Sequence, residues 1–184
     1  MARLKITGVD YFVDGKQIVI QEEKILVDGK EIDMRHVKTK KINIIINGNV
    51  ESLTTPYARA IYVKGDAGSI QIKTGNINFE GDINGDVKIE NGKINCGRIN
   101  GNVSAGGDIH CYGVYGNVHS NGNVDVDGSI GGRVKILNGN LRCRDIGGNV
   151  HLNAGSIESG HITGNVFIGD GDLQCWGIIK PNQE

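Results

Sequence analysis

Gly85-Asp-Val-Lys-Ile-Glu-Asn-Gly92-Lys-Ile-Asn-Cys96-Gly-Arg-Ile-Asn100 is one complete unit of a repeat. Counted from Gly85 as position 1, its apolar residues fall at positions 3, 5, 10, 12 and 15. The unit reopens at Gly101, Gly116, Gly132, Gly148 and Gly164, at spacings of fifteen or sixteen residues. Position 3 is Val87, Val103, Val118, Val134, Val150 and Val166 without exception. Position 10 reads Ile94, Ile109, Val124, Leu141, Ile157 and Leu173, and position 15 reads Ile99, Val114, Ile130, Ile146, Ile162 and Ile178. A spacing of two within short β-branched runs is strand periodicity. Self-similarity at a fixed short period marks a solenoid, in which each repeat is one coil. Glycines between the runs supply positive φ at the corners. The expectation is an all-β, single-stranded β-helix of roughly three-sided coils, stacked about 4.8 Å apart.

The pattern extends upstream. Gly68-Ser-Ile70-Gln-Ile72-Lys-Thr-Gly75-Asn-Ile77 fits the unit, and a looser coil runs from Gly48-Asn49-Val50 through Ile61, Val63 and Gly65. In that looser coil Thr54-Thr55-Pro56-Tyr57 reads as an expanded corner loop. In the coil at Gly116 either Val126 or Asp127 can take position 12, which reads as a local bulge. Residues 1–41 differ. They carry Asp14-Gly15-Lys16 and Asp28-Gly29-Lys30, each between apolar residues, a strong hairpin signal. The first turn predicts a hairpin of Tyr11–Val13 with Ile18–Ile20, and the second predicts one of Ile25–Val27 with Ile32. A solenoid needs its terminal core covered. The expected organisation is therefore a hairpin cap over 1–41, the β-helix over 42–180 and a tail over 181–184.

Composition agrees: 184 residues, 38% hydrophobic but 5% aromatic, with 29 glycines and two prolines that leave the ladders intact. A narrow β-helix admits Val, Ile, Leu and Cys more readily than Trp. There is no apolar run long enough for a membrane span and no secretory signal pattern at Met1, so a cytoplasmic location is expected. The formal charge of -1 argues against broad attraction to nucleic acid or anionic membrane.

The repeat also disposes of most chemical motifs. Cys96, Cys111, Cys143 and Cys175 all occupy position 12, an inward column, with Ser159 in the same place. They read as small buried hydrophobes, not as metal ligands or disulfides. A Cys96–Cys111 bridge between adjacent coils would need backbone adjustment. His119 and His151 share outward position 4 with Lys135 between them, and no histidine pair is placed to share a metal. One coil is locally basic, with Arg133, Lys135, Arg142 and Arg144. A phosphate or nucleic-acid patch is weighed there against a cross-strand charge ladder of Asp125, Arg142 and Glu158, and the ladder is preferred. Arg35, His36, Lys38, Lys40 and Lys41 form a second, short basic stretch. Asn and Asp at position 2 suggest calcium, but they sit at turns and lack the aspartate motif of calcium-binding β-rolls. Apolar gaps of two, five, two, three and four exclude hexapeptide and pentapeptide solenoids, and no catalytic loop is visible. No enzymatic activity, cofactor or metal is expected.

The Gly-Asn-Val and Gly-x-Ile units over about 68–179, with two strand runs per coil, resemble the bactofilins. These are polymer-forming bacterial cytoskeletal proteins. The resemblance implies a three-sided, right-handed β-helix that assembles end to end. The present units are slightly short, and the hairpin-rich N-terminal region differs from the short tails of that family. The function expected is a self-assembling structural scaffold. The alternative is a protein-binding factor of bacterial or phage origin that uses its flat faces or cap. The last coil turns Val166, Ile168, Leu173, Cys175 and Ile178 inward, and Lys180-Pro-Asn-Gln-Glu184 is too short to form a capping helix. With Phe167 and Trp176 outward, Phe167, Trp176 and Ile178 are the candidate residues of a homo-oligomer interface, as either a filament or a closed dimer.

Overall fold

The computed structural model describes residues 2–6, 9–13, 17–20, 25–32 and 43–179. Every regular element among them is a strand, and no helix is long and apolar enough to cross a membrane. The N-terminal strands are β1 (Ala2–Ile6), β2 (Val9–Val13), β3 (Gln17–Ile20), β4 (Ile25–Val27), β5 (Lys30–Ile32) and β6 (Asn43–Asn47). Two long strands follow, β7 (Val50–Lys64) and β8 (Ala67–Phe79). The later coils contribute β9 (Val87–Asn91), β10 (Ile94–Ile99), β11 (Val103–Ala105), β12 (Ile109–Val114), β13 (Val118–Ser120) and β14 (Val124–Val126). The chain continues through β15 (Val134–Asn138), β16 (Leu141–Arg142), β17 (Val150–Ala154), β18 (Ile157–Thr163), β19 (Val166–Asp170) and β20 (Leu173–Ile179).

The coils stack in parallel as a β-solenoid of about eight turns. Register follows the repeat. Val87, Val103, Val118, Val134, Val150 and Val166 pair in sequence down the first face. Ile77, Ile94, Ile109, Val124, Leu141, Ile157 and Leu173 do the same down the second. The third face runs through Ile83, Ile99, Val114, Ile130, Ile146 and Ile162, mostly as single bridges, with short ladders at Ile99–Val114 and Ile162–Ile178. The members of these columns that lie between two coils are buried. Each coil thus lays its apolar residues on those of the next, and the core is one continuous rod.

The corners are built differently from the sequence expectation. The Asn and Asp residues at position 2 do more than tolerate a turn. Asp86 Oδ1 accepts the backbone N–H of Asn102 at 2.7 Å, Asn102 Oδ1 that of Asn117 at 2.9 Å, and Asn117 Oδ1 that of Arg133 at 2.8 Å. A second corner repeats this with Asp108, Asn123 and Asn140, each 2.8–2.9 Å from the N–H of the coil above. A third uses Asn49, Asp66 and Asp82 at 2.7–2.9 Å. Where the strand ladder breaks, a side-chain oxygen replaces the missing carbonyl, so the N–H is not left unpaired. Glycine also has two distinct reasons. Gly155 has φ +128°, which only glycine adopts freely. Gly101 has no positive φ, but a Cβ there would lie 2.5 Å from the carbonyl carbon of Gly85 below it.

Three local expectations are corrected. Thr54–Tyr57 is not a corner loop; it lies within β7, with Thr55 buried in register with Ile72 and the irregularity further on, between Tyr57 and Ala60. Thr55 has the size of a core residue, so the column continues through it. The coil at Gly116 carries no bulge at position 12: Val126 pairs with Cys111 and is buried, while Asp127 is exposed. Desolvating the carboxylate would cost far more than desolvating valine, and this fixes the register. The N-terminal pairing also differs. Val9–Val13 pair antiparallel with Ala2–Ile6, and Ile18–Ile20 pair antiparallel with Ile25–Val27. The second predicted hairpin forms as read, with Val27 opposite Lys30 around Asp28-Gly29. The turn Asp14-Gly15-Lys16, the boundary at 41–42, the basic stretch Arg35–Lys41 and the tail lie outside the described residues.

Candidate functional site: the C-terminal coil

The two ends of the rod are chemically unlike. At the N-terminal end the outer edge of β7 is covered by β3 and β6, both parallel to it. Beyond them the ladder changes direction, since β1 is antiparallel to β6, and β4 is antiparallel to β3. The outermost strands of this end among the described residues are β2 and β5, which run antiparallel to β1 and β4 and so do not continue the parallel coil ladder. Nothing comparable covers the other end among the described residues. There β19 pairs on one side with β17, and β20 on one side with β18.

With no further coil above it among the described residues, this coil buries its core residues less well than those before it. Val166, Ile168 and Cys175 are only partly buried, whereas their counterparts Val150 and Leu152 are fully so. Leu173 is 39% exposed and Ile178 42%, although each continues an inward column from Ile157 and Ile162. Cys175 was expected to be buried like the other thiols and is half-exposed for the same reason. Cys96, Cys111 and Cys143 are buried, and all four cysteines are free. Burial pushes the Cys143 thiol up to about 12, and the hydrogen bond with Cys111, followed by burial, pushes Cys96 further up.

The three interface candidates do not form one patch. Phe167, 55% exposed, lies on the first face in register with His151 and stacks on its ring with centroids 4.6 Å apart. Trp176, 85% exposed, lies on the second face and meets His161 edge-on at 6.0 Å. Ile178 belongs to the end surface itself. Leu173 joins it there. Parity places Leu173 inward, and its pairing is with Ile157 on one side only among the described residues.

The basic coil divides in two. Arg142 donates from Nε and Nη2 to both carboxylate oxygens of Asp125, at 2.9 and 2.8 Å. That bidentate bond is the main reason the Asp125 carboxyl is held below the usual carboxylate range, and His110 adds to it from 3.6 Å. The charge ladder of Asp125, Arg142 and Glu158 therefore exists in register. Arg133 and Lys135 are on the other side of the coil, in line with Asn117 and His119 of the coil before. His119, Lys135 and His151 follow one another along that face as the repeat requires.

No protein-family model matches this chain, and neither does any curated protein or solved structure. What the fold and this site define is a β-solenoid whose first coil is flanked by strands that turn antiparallel and whose last coil, among the described residues, is paired on one side.

Proposed function

We propose that the protein is a non-enzymatic structural scaffold that assembles with itself through its C-terminal coil. The observation that carries this reading is the difference between the ends. The N-terminal ladder passes into antiparallel strands, while Leu173 and Ile178 stand exposed beside edges of β19 and β20 that have no partner among the described residues. An identical coil offers matching edges at matching spacing on every face, which an unrelated surface does not. Two C-terminal coils related by a two-fold axis pair these edges antiparallel and cover both sets of apolar residues. The resemblance to bactofilins supports end-to-end assembly of the coils. A two-fold contact uses the C-terminal coil of both copies, so this interface by itself gives a closed dimer. Light scattering coupled to size-exclusion chromatography tests this: the protein elutes with the mass of a dimer, and Ile178→Asp elutes as a monomer. A monomeric parent at high micromolar concentration, or filaments by negative-stain microscopy, rejects it.

A further inference from the structure

Independently of assembly, the half of the basic coil that is not tied into the ladder lines a trough. On the first face the outward residues read Lys88, Ser104, His119 and Lys135 on successive strands, about 4.8 Å apart. Ser104 is the smallest of the four and leaves a gap between longer neighbours. The gap widens into an open trough of about 550 Å³, whose rim is completed by Arg133, Asn117 and Asp86. Lys88, Arg133 and Lys135 form no ion pair among the described residues, unlike Lys93, which holds Asp108, and Arg142, which holds Asp125. Three unneutralised cations and an imidazole thus face one concavity with a single carboxylate, on a chain whose formal charge is -1. A concavity lined by one sign of charge concentrates the opposite sign.

We propose that this trough binds a phosphate-class oxyanion of several phosphoryl units, lying along the solenoid axis. Arg133, just before β15, and Lys135 within it provide a two-pronged cationic end, suited to the terminal phosphoryl oxygens. His119 and the Ser104 hydroxyl offer hydrogen-bond donors along the middle, and Lys88 meets the far end. Single-stranded nucleic acid fits less well, since Phe, Tyr and Trp are absent from the lining and no base could stack there.

Titration calorimetry with sodium tripolyphosphate, at fixed ionic strength, tests the proposal. The native protein binds one tripolyphosphate per chain. Lys135→Glu weakens binding about tenfold, as expected for replacing one exposed attraction by a repulsion. Arg144→Glu, the same change of charge on the second face, leaves affinity unaltered. Unchanged melting temperatures establish that both variants are folded. Absence of saturable binding, or equal weakening by the two variants, overturns the assignment.

Discussion

Ser159 and Ser120 test the same physics with opposite signs. Both stand in inward columns where neighbouring coils place apolar or thiol side chains. Ser120 is completely buried, but its Oγ donates to the Gly107 carbonyl at 2.8 Å and accepts from the Gly122 N–H at 3.1 Å. Ser159 Oγ is buried and has no partner. A buried hydroxyl without a hydrogen bond costs about 1–3 kcal/mol, while one that is bonded contributes about 1 kcal/mol. The column of Ser159 already accepts a thiol at Cys175 directly above, so Ser159→Cys removes the penalty without new volume strain. The expected outcome is a gain of about 1 kcal/mol for Ser159→Cys and a loss of about 1 kcal/mol for Ser120→Cys. Urea midpoints measured at unchanged m report both. A loss at Ser159 would mean that its hydroxyl has a partner in solution.

At the scale of elements, the strands that seal the N-terminal end carry a clear expectation. Residues Gln17–Val19 pair with Ser52–Thr54, and Arg3–Ile6 pair with Ile44–Asn47. Removing residues 1–41 exposes half the edge of β7 and the buried side chains Ile18 and Leu53 lose each other. The truncated protein should melt at lower temperature or aggregate through the new edge, as read by thermal scanning and light scattering. A truncation that stays soluble and melts unchanged would show that these strands are dispensable. The fold of the coils was legible because each column repeats its own evidence: Val at position 3 six times over is a stronger signal than any single strand. The corner ladders were half legible. Asn at position 2 was visible, but its partner is an N–H sixteen residues away, and no local rule announces it. The first cap pairing was misread for a related reason, while the second hairpin formed as read. Asp-Gly marks where the chain turns, yet strand pairing in the cap is decided by which edges β7 leaves open. Phe167 and Trp176 were legible by parity, whereas the exposure of Leu173 depends on a neighbour that is absent, which no periodicity encodes.

At the scale of the whole molecule, a solenoid that dimerises through its last coil couples its stability to its own concentration. Each interior coil is held from both sides, but the last has partners on one side among the described residues and keeps Leu173 and Ile178 partly in water. It is therefore the place where unfolding begins, since local stability follows the number of buried apolar neighbours. A second copy that binds only the folded coil stabilises it by mass action, and the increment grows with protein concentration. The melting temperature of the parent should rise as concentration is raised from low to high micromolar. Ile178→Asp removes an apolar contact and places a carboxylate in the proposed two-fold seam, opposite its own copy, where like charges repel. The variant should melt at a lower temperature that no longer depends on concentration. Lys64→Asp makes a comparable change at an exposed position remote from the seam, and it should preserve the dependence. If the parent melts at the same temperature across that range while remaining monomeric, the last coil is stable by itself and the dimer is not its means of closure.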